Sequence, residues 1–195
     1  MKSTFSIVLI SILTVIMLSS ALSQDKTGST PVTGLRKDFL NQLKGVEEKV
    51  IGLAEATPQK SYTWRPMEGV RSVSEVYMHI ATSNYLMLSF AGVKTPEEMK
   101  REDDKTVTDK SKVIDALKKS FAFCRDAVTG IPDDNLNNPA NFFGTETTVR
   151  DVIFNIALHM HEHLGQSIAY ARMNKVVPPW TAAEQAAEAK KKEKK

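Results

Sequence analysis

The chain has 195 residues, 42% hydrophobic and 25% charged, with a formal net charge of +3. Lys2 carries one of these charges and the lysine-rich C-terminal end two more, so the body between is neutral and lacks the basic patch that nucleic-acid binding requires. One cysteine, Cys124, excludes an internal disulfide framework and leaves stability to an apolar core or a metal.

At the N-terminus, Lys2 precedes a run from Phe5 to Leu18 that is apolar apart from Ser and Thr. Ala21-Leu22-Ser23 then places small residues at the −3 and −1 positions of a cut before Gln24. This is the pattern of a secretory signal peptide over 1–23, and the run is short for a membrane span, which needs about 20 residues. The expectation is an exported protein, periplasmic or extracellular, with no stable membrane anchor after cleavage. Residues 24–34 read as a flexible linker.

Four stretches then carry helical periodicity. The first covers about 35–56, with Leu35, Phe39, Leu43, Val46, Val50 and Leu53 on one face, and stops at Thr57-Pro58. The second covers about 73–91. Ser72 and Glu75 form the S-x-x-E pattern of a capping box at its start, and Val73, Val76, Tyr77, Ile80, Asn84, Met87 and Ala91 make its inner stripe. The third, about 110–129, is capped by Asp109 or Ser111 and turns Val113, Ile114, Leu117, Phe121, Cys124 and Val128 inward. Cys124 on that stripe reads as a buried small hydrophobe. The fourth, about 149–173, is capped by Thr147 or Thr148 and runs through Val149, Val152, Ile153, Ile156, Met160, Leu164, Ile168 and Ala171. No segment alternates as a strand does. The elements predict an all-α domain over 35–181, a four-helix bundle with long inter-helix loops. The end, 182–195, is rich in Ala, Lys and Glu and reads as a frayed helix or a disordered tail.

The chemistry concentrates in the fourth helix, in the string HMHEHLGQ. His159 and His163 are four residues apart, about 40° around a helix, whereas His161 falls about 160° from His163. His79, at the edge of the second helix's stripe, completes the chain's four histidines. If the two helix edges meet, His79, His159 and His163 can share one metal ion and leave coordination positions open, which is the catalytic pattern rather than the closed four-ligand structural one. The same spacing also suits ordinary histidines on a helix surface. Glu162 precedes His163 by one residue and points away from the pair, so it is not assigned as a general base. Gln166 lies one turn from His163, where it can support a ligand, and Gly165 suggests close packing against a neighbouring helix. Trp64 and Trp180 are read as covers of the bundle ends, and Tyr77, Tyr85 and Tyr170 as core or groove residues.

The combination of SVSEVYMHIA around His79, HMHEHLGQSIAYARMNKVVPPW from His159, and SYTWRPMEGVRS before the second helix resembles the DinB/YfiT-like superfamily of metal-binding four-helix bundles. The resemblance covers about 35–180. It implies a divalent metal on His79, His159 and His163, zinc or nickel foremost, with iron or manganese as alternatives. It also implies a metal-dependent hydrolase or a thiol-dependent S-transferase acting on a small-molecule substrate. The competing expectation is a non-catalytic bundle that holds a metal or ligand, or uses the metal as a staple. A homodimer is left open as the assembly.

Overall fold

A computed structural model describes residues 32–96 and 105–194. The expected signal peptide and most of the expected linker lie outside these residues. Four long helices dominate: α1 Gly34–Ala56, α2 Val73–Phe90, α3 Lys110–Gly130 and α4 Val149–Met173. Their bounds fall where the sequence places punctuation. Ser72 Oγ accepts from the Glu75 amide while the Glu75 carboxylate accepts from the Ser72 amide, closing the capping box of α2. Asp109 caps α3 through the Lys112 amide, and Thr148 caps α4 through the Asp151 amide, which decides both alternatives.

The packing order explains the long loops. Helix α1 packs on α3 and α4, and α2 packs on the same two helices, so α1 and α2 are diagonal neighbours, as are α3 and α4. Glu47 pairs with Arg125, and Glu55 with Lys118 at 3.0 Å, so α1 and α3 run antiparallel. The start of α2, at Val73 and Tyr77, faces the end of α4, at Ser167 and Tyr170, so this pair is antiparallel too. Pro179, just beyond α4, packs beside Gly52 near the end of α1, which makes α1 and α4 parallel. It follows that α2 and α3 are parallel. The end of α2 at Phe90 and the start of α3 at Lys110 therefore lie at opposite ends of the bundle, about the length of α2 apart, or about 27 Å at 1.5 Å per residue.

The expected stripes form the core. Every named stripe residue is buried except Leu35, Ala91, Ile114 and Ile168, which are partly covered. Helix α2 is buried around most of its circumference, with Met78, Ala81, Tyr85 and Leu88 added to its stripe. Cys124, Tyr77, Tyr85 and Tyr170 all lie in the core. A buried charge joins one end of the bundle: Arg36, 3% exposed, donates through Nε to Asp133 at 2.6 Å and through a terminal nitrogen to the Thr129 carbonyl.

One feature departs from the sequence reading. The all-helical expectation omits a hairpin, β1 Pro139–Phe142 paired antiparallel with β2 Thr145–Thr148. Its two-residue turn has Phe143 at φ 51° and Gly144 at φ 88°, the geometry of a type I′ turn. Phe143 occupies a position that favours Asn or Gly; it is held by ring contacts with Phe90 and Phe142 at 4.7 and 4.8 Å. The C-terminal segment is helical from Pro179 to Glu193 (α5), with no buried residue, which is the helical one of its two expected forms. Among the described residues, no helix is long and apolar enough to cross a membrane.

Candidate metal centre

Because α2 and α4 pack antiparallel, the first half of α2 lies beside the second half of α4, and this brings His79 against His159 and His163. Imidazole centroids are 5.0 Å apart for His79 and His159, 4.7 Å for His79 and His163, and 4.5 Å for His159 and His163. One ring nitrogen from each lies within 4.8 Å of the others, and His79 Nε2 is 3.2 Å from His159 Nε2. His161 does not join them: it is exposed and its Nδ1 lies 2.9 Å from the Ala157 carbonyl, one turn back on the same helix. The three histidines that come together are thus those the angular argument expects to meet, with His161 apart from them.

The nitrogens facing away from the convergence point are held to different degrees. His163 Nδ1 lies 2.8 Å from Gln166 Oε1, and Gln166 Nε2 donates to the Tyr170 hydroxyl at 3.1 Å. With the amide oxygen accepting from Nδ1–H, the Nε2 lone pair of His163 faces the other histidines. Such support fixes both the tautomer and the ring angle of a metal-ligating histidine. Tyr170 is itself braced edge-on by Trp64 at 5.4 Å. His79 Nδ1 has Ser83 Oγ at 3.4 Å and a guanidinium nitrogen of Arg71 at 3.3 Å. His159 Nδ1 is buried with no hydrogen-bond partner among the described residues, so none of these orients that ring from behind.

Protonation follows from this packing. Burial, then the Arg71 charge and the neighbouring imidazoles, lowers the His79 pKa to about 3. Burial and His163 lower that of His159 to about 4, against a smaller opposing pull from Glu162. Both rings are therefore neutral near pH 7, the form that donates a lone pair to a metal. Zinc–nitrogen bonds of about 2.0–2.1 Å need ligand nitrogens roughly 3–4 Å apart, so the trio fits a divalent ion with little movement. Among the described residues the group has three members, fewer than the four protein ligands of a closed structural site.

A cleft of about 630 Å³, lined by Arg65, Gly69, Val70, Arg71, Glu75, Lys105 and Gln166, meets the cluster through Arg71 and Gln166, which touch His79 and His163; none of the three histidines lines it. Gln166, placed by the sequence one turn from His163, makes that contact; Arg71, which sits in a loop without periodicity, was missed. It also misread Gly165. A Cβ there would meet nothing within 4 Å, so this exposed glycine serves no close helix contact.

The comparisons agree with this architecture. The model of the DinB superfamily matches residues 42–167, a span that includes all three histidines. Two solved structures are similar in fold. A DinB-like protein from Bacillus cereus has 21% identity and a TM-score of 0.66 over 73% of this chain and 95% of its own. A DinB-like protein from Bacillus subtilis has 19% identity and a TM-score of 0.60 over 74% and 97%. None of the curated proteins matches the chain.

Proposed function

We propose, for a chain that belongs to the DinB superfamily, that His79, His159 and His163 bind one divalent metal, zinc or nickel foremost, and that the protein is a metal-dependent hydrolase or transferase of small molecules. The observation that carries this reading is the convergence of three imidazole nitrogens within 4.8 Å from two helices. A metal held there supplies Lewis acidity toward a water or a thiol. The chain's own contribution is a set of neutral donors, a Gln166–Tyr170 relay that aims His163, and a cleft next to the ligands where a substrate can sit. The apolar leader before Gln24 supports action outside the cytoplasm.

The test is metal analysis of the mature protein purified without a chelator or a metal-affinity tag, followed by an activity screen on esters, amides and thiol adducts. One equivalent of metal is expected. His163→Ala should abolish it, and His161→Ala should leave it intact. Equal loss from both would mean a different ligand set. Stoichiometric metal without turnover of any substrate class would favour a staple between α2 and α4.

A further inference from the structure

Helix α4 carries a second stripe, on the side away from the core. At 100° per residue, Phe154, Leu158, His161 and Gly165 fall within about 60° of one another and about 150° from the middle of the buried stripe. Their steps of four, three and four residues are those of a seam that packs one helix along another. All four are exposed, Phe154 at 55% and Leu158 at 52%. From Val152 to Ala171 the only residue with a formal charge is Glu162. Helices α1 and α3 meet water differently, with Lys37, Asp38 and Lys44 exposed on the first and Lys112, Asp115 and Lys118 on the second. An outer face that is apolar and nearly uncharged is the mark of a contact surface.

Gly165 adds an independent observation. It sits inside a helix, where glycine weakens the backbone relative to alanine, yet a Cβ there would meet nothing within 4 Å. No contact among the described residues requires it. Without a side chain it leaves a notch in the outer stripe, about 17 Å along the axis from the exposed ring of Phe154. The large side chain and the missing one match each other in reverse order. When a second copy's α4 lies antiparallel on the first, about a two-fold axis between His159 and Met160, Phe154 meets Gly165 and Leu158 meets His161. Each contact then occurs twice, as an interface between identical surfaces requires. The same register brings Arg172 of each copy within about one turn of the other copy's Asp151, so opposite charges close both ends of the strip. A parallel pairing would stack Phe154 on Phe154 and leave the two notches facing each other.

We propose that the outer face of α4 is the interface of a homodimer, in which two α4 helices pack antiparallel and the ring of Phe154 from each copy fills the notch at Gly165 of the other. Self-association does not depend on the metal-centre reading, because His159 and His163 turn toward α2 and His79, away from this strip. A single pair of helices buries less than the roughly 800 Å² per partner of a standard interface, so the dimer dissociates on dilution.

The experiment is sedimentation velocity of the mature protein over a wide dilution series, once with zinc and once with chelator. A dimer at high concentration in both conditions, and monomer on dilution, is expected. Phe154→Gln and Gly165→Gln should each raise the dissociation constant about tenfold or more. Gly165→Gln should also leave the monomer's Tm unchanged or higher, since glutamine favours a helix and its Cβ meets nothing; that separates a lost interface from a damaged fold. Leu158→Cys, beside the axis, should cross-link to itself on mild oxidation, and Ala169→Cys, far from the axis, should not. A monomer at every concentration would overturn the proposal. So would a dimer indifferent to both glutamine variants, a dimer that forms only with zinc, or one in which Ala169→Cys cross-links as readily as Leu158→Cys.

Discussion

Gln166 is the residue whose role is easiest to isolate, because it touches His163 and Tyr170 and no other described ligand histidine. Gln166→Ala should lower metal affinity about 10–100-fold, the usual cost of losing such support, without unfolding the bundle; competition with a chromophoric chelator measures it. The depressed pKa values of His79 and His159 have a stability consequence with a definite sign. Between about pH 6.5 and the folded values near 3 and 4, the unfolded chain binds more protons than the folded one. Metal-free protein should therefore lose thermal stability as pH falls from 7 toward 4, and His79→Gln should flatten the profile of Tm against pH. Cys124, at 0% exposure, has its thiol pushed upward by burial; it should label slowly in native protein and fast in denaturant. At this scale the meeting of the three histidines was legible, because a four-residue spacing fixes two side chains on one helix face whatever the surrounding fold. Arg71 was not, because a loop residue's direction depends on tertiary packing that no local period encodes.

The four main helices were legible for a related reason: each has a buried stripe repeating at three and four residues and a capping residue at its start, so local and tertiary preferences agree. Ser72→Ala tests one such signal and should cost about 1 kcal/mol of stability, the usual value for a lost N-cap, measured by urea unfolding. The hairpin Pro139–Thr148 was missed because each strand has four residues and its turn carries Phe143 where Asn or Gly would advertise it. Its stability comes from Phe90 on α2, a contact between distant parts of the chain. Helix α5 stands at the other extreme. It is regular in backbone, yet from Thr181 onward it buries nothing fully. Truncation after Thr181 should leave Tm almost unchanged, since tolerance follows burial and not regularity; a drop of more than a few degrees would show that the tail packs on something.

For the whole molecule, a metal on the three histidines would link two helices that no short loop joins. Free metal at a hundred times its dissociation constant stabilises the folded chain by about 2.7 kcal/mol, or roughly 5–10 °C in Tm for a domain of this size. Scanning calorimetry with and without zinc should show that rise, and His163→Ala should remove it. The parallel arrangement of α2 and α3 was visible in the sequence only as a long connection between them; the relative direction of the two helices could not be read, because loop length fixes reach and not destination. The separation of His79 from His159 by 80 residues has a further consequence. Neither ligand helix can gather the site by itself, so the chain must close that long interval before an ion finds three nitrogens at once. Zinc should accordingly leave the refolding limb of a chevron plot where it is and lower the unfolding limb by about a hundredfold at the same excess. The ion would lengthen the lifetime of the native state without shortening the search that reaches it.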